Sequence, residues 1–416
     1  MSIWIEASGW WCYHNYIMKS LLVFPAQWYP TQPYLSTPYL CSYLREKNWD
    51  VTQRDFNMES YDHFLSPNSL EKIVSKMEDR QTILKSKKSF SFKEKSLMDV
   101  LATGIKFAPT IISEVNDAKQ VMRTPERFFD FKAYKQADMI IKSALKLVSD
   151  AFSPSILTLS TFESGIRAEE STQRTTEFAR SSDVNPFIDL YENVLLPSES
   201  WENYNLVGIS IVGISQILPG LTLARMLKEK YPHLHITLGG PIFSVNSKQL
   251  MGHPEFFQEF CDSIVTFEGE EPLHRLLTTL KNGSTLKNVP NLLFYENGKI
   301  EHNKERVELR FEEMPPPTFD GLPMNLYLSP YPILPVLQSR GCYWGKCTFC
   351  THSFIYGHRY GKQRTEQMVD ELESLARKYK TKYFTFSDEA VSPHSLNDVS
   401  EEIIKRDVDI KSLALL

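Results

Sequence analysis

Three cysteines crowd into one short segment of the chain, Cys342, Cys347 and Cys350 within GCYWGKCTFC. Thiolates are soft ligands that suit zinc or iron-sulfur clusters. A structural zinc ion needs four ligands, so a histidine such as His352 or His358 would have to complete the set. A 4Fe-4S cluster held by three cysteines instead leaves one iron open to another ligand. A loop of free thiols is the third interpretation of the segment.

The other cysteines and the charge balance restrict the class of protein. Cys12, Cys41 and Cys261 are scattered, and six cysteines in 416 residues is a low count. This usage is typical of a reducing compartment, so we expect a cytoplasmic protein with a metal site, without a disulfide framework. Lys and Arg number 46 against 51 Asp and Glu, a net charge of −5. No basic excess is present, and we expect no nucleic-acid partner.

The sequence contains no run of about 18 apolar residues, so we expect no membrane partner. The first 17 residues, MSIWIEASGWWCYHNYI, have no Lys or Arg and therefore lack the charged region of a signal peptide. We predict that residues 1–17 are an ill-packed extension and that the folded unit begins near Met18.

The elements around the chemistry alternate between strands and helices. SLLVF after Lys19 is apolar on both faces, as in a buried parallel strand. Ser36 or Thr37 can cap the following helix, and a second strand runs from Trp49 to Phe56. The same alternation of strand and helix patterns recurs in LVGISIVGI, GLTLARMLKEKYP, HITLGG and SIVTF. This alternation predicts a doubly wound Rossmann-like α/β domain over residues 18–305. We predict that residues 57–200 form a helical insertion, within which STFESGIRAEESTQRTTEF is a loop.

A second series of elements follows the first. Asn297 and Gly298 predict a hairpin that closes the first domain. The proline-rich residues 306–333 predict an extended linker. PVLQSR, a helix near Met368 and the strand KYFTFSDEA then begin a new β/α series over residues 334–416. The cysteine segment lies on the loop after its first strand.

These residues resemble the radical S-adenosylmethionine (SAM) enzymes, in which three cysteines after the first barrel strand hold a 4Fe-4S cluster that binds SAM. The resemblance implies Cys342, Cys347 and Cys350 as ligands and Phe349 beside the SAM adenine. Here four residues separate the first two cysteines, where the family usually has three. Asp388 and Glu389 occupy the place of a carboxylate that faces the SAM amino group, although a solvated acidic turn explains them as well.

The upstream segments resemble the cobalamin-binding branch of this family. Parallel α/β sheets bind ligands at the carboxyl ends of their strands. The candidate cobalamin contacts are Ser210, Gly239, Gly240, Glu268 and Gly269. No Asp-x-His-x-x-Gly segment is present, so the resemblance implies cobalamin without an axial protein histidine.

The resemblance implies an enzyme that transfers a methyl group to carbon, or performs a related radical modification, on a peptide or small natural product. Flavodoxin or ferredoxin would donate the electron. A full (β/α)₈ barrel takes about 200 residues or more, and far fewer follow the linker. One alternative is therefore a truncated, catalytically incompetent cobalamin-binding fragment. The zinc interpretation of the cysteine segment gives another, a zinc-stapled interaction protein.

Overall fold

Two sheets of mainly parallel strands organise the chain in the computed structural model, which describes residues 18–307, 309–357 and 359–414. The extension predicted for residues 1–17, with Cys12, and the candidate ligand His358 lie outside the described residues. In chain order the strands are β1 (Lys19–Phe24), β2 (Asp50–Asp55), β3 (Ile156–Leu157), β4 (Phe162–Glu163), β5 (Leu206–Ser210), β6 (His235–Gly239), β7 (Ser263–Val265), β8 (Leu292–Glu296), β9 (Lys299–His302), β10 (Ile333–Val336), β11 (Ser339–Gly341), β12 (Tyr360–Lys362), β13 (Tyr383–Phe386) and β14 (Lys411–Ala414).

Helices connect and cover these strands. They are α1 (Ser36–Glu46), α2 (Phe56–Phe64), α3 (Pro67–Lys85), α4 (Phe92–Arg123), α5 (Pro125–Phe128), α6 (Phe131–Ala151), α7 (Thr172–Arg180), α8 (Phe187–Leu190), α9 (Ile217–Lys230), α10 (Pro241–Val245), α11 (Ser247–Leu250), α12 (Pro254–Phe260), α13 (Glu270–Lys281), α14 (His352–Ile355), α15 (Thr365–Tyr379) and α16 (Pro393–Lys405).

The larger sheet has seven strands in the order β2-β1-β5-β6-β7-β8-β9. Its first five strands are parallel, and the β8–β9 hairpin adds an antiparallel edge. Leu21 and Val23 of β1 enter one hydrophobic core, while Leu22 enters the core on the opposite face. Successive side chains of a strand point to opposite faces, so a strand covered on both sides must be apolar throughout. The predicted doubly wound α/β fold is confirmed.

Turn chemistry closes the larger sheet as predicted. Asn297 and Gly298 join β8 to β9 with φ of 50° and 81°. Two consecutive positive φ angles match the right-handed twist of a hairpin, which favours Asn-Gly.

The predicted cap of α1 is wrong. The helix begins at Ser36, and Leu35 precedes it without any side-chain hydrogen bond to the first turn. Ser36 Oγ instead accepts a hydrogen bond from Ser210 Oγ at 2.9 Å. The hydroxyl therefore ties the helix to the end of β5.

Helices dominate the segment between β2 and β5. The helix α4 packs along both α3 and α6, and α6 buries Ala137, Ile141, Ala144, Leu145 and Val148 at the spacing seen in the sequence. The loop prediction for STFESGIRAEESTQRTTEF is wrong in part, because α7 forms within it. Ser171 Oγ caps that helix by accepting from the Arg174 N–H, and Phe178 is buried on its inner face.

The second sheet is parallel, in the order β10-β13-β14, and the two-residue gap after β10 leads into the antiparallel pair β11–β12. The prolines of the preceding segment keep it extended, but Phe311, Met314 and Phe319 within it are buried. They belong to one hydrophobic core with residues of α1 and α13, which connect strands of the larger sheet, and of α15, which precedes β13 of the second sheet. Among the described residues, no helix is both long and apolar enough to cross a membrane.

Candidate functional site

The carboxyl ends of the two parallel sheets face one cavity of about 730 Å³. The larger sheet contributes residues that follow β1, β5, β6 and β7, and the smaller sheet contributes the end of β13 and the segment after it. Of the predicted site residues, the lining includes Ser210, Gly239, Gly240, Glu268, Gly269, Asp388 and Glu389. One cavity therefore joins the two ligand sites that the sequence predicts separately.

The cysteine segment leaves β11 through a turn at Gly341. This glycine has φ of 85°, and a Cβ atom there would lie 2.1 Å from the carbonyl oxygen of Arg359. Only glycine fits this position, since an L side chain is strained at such φ and has no room. The turn immediately before Cys342 thus fixes the direction in which the cysteine loop departs.

The cysteines share the loop but are not gathered into a preformed site. All three thiols are free, with Cys342 and Cys350 half-buried and Cys347 exposed. In the described ranges, no group of three or more His, Cys, Asp and Glu side chains is arranged to hold a metal ion. The additional residue in the spacer is accommodated by a second glycine turn, because Gly345 has φ of 60°.

Phe349 lies on the same loop, and its side chain is 89% exposed. It does not contribute to the lining of the cavity as described. The predicted contact of this ring with an adenine therefore remains a prediction.

Asp388 is buried at the end of β13 and is fully engaged with the backbone that leads to the cysteines. It accepts hydrogen bonds from the Gln338 N–H at 3.1 Å, the Ser339 N–H at 2.6 Å and the Ser339 hydroxyl at 2.5 Å. Burial raises its pKa although these hydrogen bonds act in the opposite direction. The carboxylate links the two strands β11 and β13.

Glu389 lines the cavity beside Asp388 and pairs with a side chain instead of the backbone. Its Oε2 lies 3.1 Å from Nδ1 of His352 on α14. Burial is the main cause that raises the pKa of Glu389, and the charge of His352 opposes it. Tyr34 stacks on Phe24 with ring centroids 5.1 Å apart, and burial raises its pKa to about 12 with a contribution from Glu389. His352, one of the proposed zinc ligands, thus lies against a carboxylate of the cavity wall.

An ion-pair cluster joins the β11–β12 pair to the larger sheet beside the cavity. Arg340 of β11 contacts Glu270 at 2.5 Å and Glu268 at 3.6 Å, and all three side chains are 13% exposed or less. The guanidinium also lies 5.5 Å from the ring centroid of Tyr39 and 5.2 Å from that of Phe311. Burial and the charge of Glu270 raise the pKa of Glu268. Glu268, predicted as a cobalamin contact, therefore pairs with Arg340 of β11 as well as lining the cavity.

Gly239 ends β6 and Gly240 follows it, and the surrounding backbone requires glycine at only one of the two positions. Gly240 has φ of 126°, and a Cβ there would lie 1.9 Å from the Ile211 carbonyl oxygen. A Cβ on Gly239 would meet nothing closer than the Val265 carbonyl oxygen at 3.9 Å. Backbone packing explains Gly240 without a ligand, whereas the protein itself imposes no steric need for glycine at 239.

The other two candidates in the first sheet pack against α1. Ser210 Oγ donates to Ser36 Oγ and is thus already partnered. A Cβ on Gly269 would approach Leu40 Cδ2 to 3.2 Å, so helix packing favours glycine there.

Sequence reasoning missed Arg340, the His352–Glu389 pair and Tyr34. One signal was present for Arg340, a charged residue inside a strand between Ser339 and Gly341, directly before the first cysteine. Buried charges in proteins are paired. A search for acidic partners would have turned to Glu268 and Glu270, which follow a strand of the other sheet.

No family model matches the chain. It is similar to several curated proteins, among them an uncharacterized methyltransferase of Pyrococcus horikoshii, with 29% identity over 213 residues, 50% of this chain and 44% of the relative. The hopanoid C-3 methylase of Methylococcus capsulatus is 25% identical over 219 residues, 50% of this chain and 38% of the relative. The anaerobic magnesium-protoporphyrin IX monomethyl ester cyclase of Rubrivivax gelatinosus is 25% identical over 243 residues, 54% and 42% of the two chains. The chain spans less than half the length of these relatives.

Two solved structures are also similar. The radical SAM methyltransferase TsrM from Kitasatospora setae, with cobalamin and a 4Fe-4S cluster bound, aligns over 93% of this chain and 51% of its own, with a TM-score of 0.45 and 15% identity. The cobalamin-dependent SAM radical enzyme OxsB, with aqua-cobalamin bound, aligns over 54% and 32%, with a TM-score of 0.43 and 23% identity.

Proposed function

We propose that this chain, which belongs to the radical SAM enzymes with an N-terminal cobalamin-binding domain, holds cobalamin, SAM and a 4Fe-4S cluster around its cavity and modifies carbon by methyl transfer or related radical chemistry. The observation that carries the proposal is the shared cavity. The carboxyl ends of two parallel sheets, each an edge at which α/β proteins bind ligands, open into the same space. Two ligands bound there would lie next to each other.

The first sheet fits a large, flat cofactor that approaches the backbone. Gly239 lines the cavity and has no internal steric reason to be glycine. A missing side chain at such a position lets a ligand contact the peptide directly. Ser210 and Gly269 support the same wall by holding α1 against it.

The cysteine loop fits an iron-sulfur cluster by the chemistry of its donors. Three thiols on one loop match a cluster with one open iron, whereas zinc needs a fourth ligand. Of the two candidate histidines, His352 lies against Glu389, and His358 is outside the described residues. The thiols are not gathered in this structure, so the loop would close around the cluster as it binds. Metal binding commonly supplies the free energy that orders such a loop.

When bound, the cluster would supply the electron for reductive cleavage of SAM, and cobalamin would supply the methyl group. The protein's own residues position and shield the reactants. Asp388 accepts hydrogen bonds from Ser339 at the start of β11, and Arg340 of the same strand pairs with Glu270. These contacts fix the strand that leads to the cysteines. Glu389 faces the cavity, where its charge would favour the ammonium group of SAM. The aromatic wall of Trp28, Tyr34 and Tyr356 would exclude water from a radical.

We further propose a small-molecule or peptide substrate and an electron donor such as flavodoxin or ferredoxin. The name of one relative, a hopanoid C-3 methylase, supports carbon methylation, and that of another, an uncharacterized methyltransferase, supports methyl transfer. Tyr343, Trp344 and Phe349 are 48%, 58% and 89% exposed on the cysteine loop. An exposed aromatic surface this close to the ligands would suit the docking of an electron donor.

Anaerobic reconstitution with iron, sulfide and cobalamin tests the proposal. We expect an iron-bound protein that cleaves SAM and binds cobalamin. Alanine at Cys342, Cys347 or Cys350 should abolish iron binding, whereas Cys261→Ala, which removes a buried thiol elsewhere, should retain it. Cobalamin and iron binding without SAM cleavage would support a cofactor-binding unit instead of an enzyme. Zinc without iron would overturn the proposal in favour of an interaction protein.

A further inference from the structure

The turn between α3 and α4 carries a concentrated positive charge. Residues 85–95, KSKKSFSFKEK, are named the basic tip here, and they contain five lysines, one glutamate and two phenylalanines. Their net charge of +4 contrasts with −5 for the whole chain. A charge run by itself is usually a solvated surface.

Apolar side chains accompany these lysines at the surface. Phe92 is 88% exposed, Ile83 at the end of α3 is 62% exposed and Phe90 is 43% exposed. Every residue from 85 to 93 is exposed. Burying a phenylalanine stabilises a protein by about 1.5–3 kcal/mol, and here the fold leaves this burial unused. Lysines around exposed phenylalanines are typical of segments that lie in a membrane interface.

The basic tip projects beyond the helical insertion. The helix α4 has 32 residues and is thus about 48 Å long. The first side chains of α4 that pack against the core are those of the partly buried Leu97 and Met98, so the first five residues of the helix lie before the packed part. The tip is thus an exposed end of the insertion that a flat surface can contact.

The tip is nevertheless an ordered structure. Ser91 and Glu94 form a reciprocal capping box at the start of α4, and Lys87 pairs with Glu94 at 2.5 Å. This cap holds Phe92 as the first residue of the helix, where its ring is presented to solvent. Lys88, Lys93 and Lys95 are exposed on either side of it.

We propose that the basic tip docks this chain on the surface of an anionic lipid bilayer. Lysines gain about 1 kcal/mol each near such a surface, and the phenylalanine rings would enter the interfacial region. The contact is peripheral and requires no spanning helix. The proposal does not depend on the cofactors or on the reaction.

The shape of the tip favours a bilayer over a nucleic acid. Nucleic acids bind along positively charged grooves with aromatic stacking platforms, whereas this patch is a convex end on a chain of negative net charge. A convex apolar apex ringed by lysines needs a soft partner that closes around it. A bilayer surface has this property and supplies the opposite charge.

Vesicle flotation of the purified full chain tests the proposal. Phosphatidylcholine vesicles that contain phosphatidylglycerol should carry the protein upward, and vesicles of phosphatidylcholine alone should not. Replacement of Lys88, Lys93 and Lys95 by Gln should weaken partitioning roughly a hundredfold and leaves the Lys87–Glu94 pair intact. Phe92→Ser should weaken it about tenfold.

The other end of the insertion provides a matched control. Phe131 is 74% exposed as the first residue of α6, follows the cap Asp130 and has exposed Lys132 and Lys135 nearby. The triple variant Phe131→Ser, Lys132→Gln and Lys135→Gln should float like the original protein. Equal loss in both sets, no flotation on anionic vesicles, or stronger binding of a single-stranded oligonucleotide than of vesicles would overturn the proposal. Retained thermal unfolding in each variant confirms that folding is intact.

Discussion

Asp388 accepts two hydrogen bonds from Ser339, at 2.6 Å from the backbone nitrogen and 2.5 Å from the hydroxyl. Asp388 follows β13 of the second sheet, whereas Ser339 begins β11 and lies three positions before Cys342. A carboxylate predicted to face a cofactor is thus a positioning group for the strand that presents the cysteines. Its neighbour Glu389 has no such backbone partners described and faces the cavity.

Asp388→Asn should separate these two roles. The amide keeps one acceptor oxygen but loses charge-assisted bonds to Gln338 and Ser339, so we expect a loss of about 2 kcal/mol in unfolding free energy. Urea denaturation measures this, and iron binding after reconstitution should fall with it. Glu389→Gln is the matched variant, expected to retain stability and to weaken SAM binding. Equal stability losses at both positions would contradict the assignment.

The contact between Arg340 and Glu270 predicts strong coupling between the sheets. Arg340→Met should lower the free energy of unfolding by about 3 kcal/mol, because it leaves buried carboxylates without their partner. Glu270→Leu should then reduce the free energy of unfolding much less in the Arg340→Met background than in the original protein. A double-mutant cycle by urea unfolding should give a coupling energy of about 1–3 kcal/mol. Arg167→Met at the exposed pair with Glu170 serves as control, with almost no effect. Strict additivity at Arg340 and Glu270 would contradict the prediction.

The glycines at 239 and 240 should respond differently to alanine. Gly240→Ala places a Cβ 1.9 Å from a backbone oxygen, so we expect poor folding. Gly239→Ala has room within the protein and should unfold at the original temperature, but its methyl group would weaken cobalamin binding. Thermal unfolding and an absorbance titration with cobalamin measure the two effects. Unchanged cobalamin affinity in Gly239→Ala would contradict the proposed backbone contact.

Glu371 predicts a specific pH dependence of stability. Burial raises the pKa of this carboxyl on α15 from 4.5 to about 7, while the hydrogen bond that it accepts from the Gln363 side chain opposes the shift. Between these values the unfolded chain has released the proton and the folded chain retains it, so stability falls as pH rises through this window. The free energy of unfolding falls by about 3 kcal/mol in total, and the fall ends above pH 7.

Glu371→Gln mimics the protonated form and should remove this dependence. The variant should gain stability over the original protein progressively from pH 5 to pH 7, with a constant difference above. Urea unfolding at a series of pH values measures it. Glu366→Gln changes an exposed carboxylate of the same helix and should leave the profile unchanged. A difference that does not vary with pH would contradict the role of Glu371.

The sequence by itself determined the elements and the type of chemistry. In SLLVF the four residues after Ser20 are all apolar, which favours a strand covered on both faces. Asn297-Gly298 predicted its hairpin from local conformational preference. The grouping of Cys342, Cys347 and Cys350 indicated a metal site from ligand chemistry alone. These features depend on interactions within a few residues, so they can be recognised without the fold.

Only the tertiary structure decided which of the candidate side chains are free to bind. Asp388 and Glu389 are adjacent in sequence, yet one is bound to the backbone of β11 and the other faces the cavity. Gly239 and Gly240 are equally adjacent, yet one is required by a distant carbonyl group. Arg340 finds Glu270 across 70 positions of chain. Such relationships arise from contacts between sheets that are remote in sequence, and no local pattern encodes them.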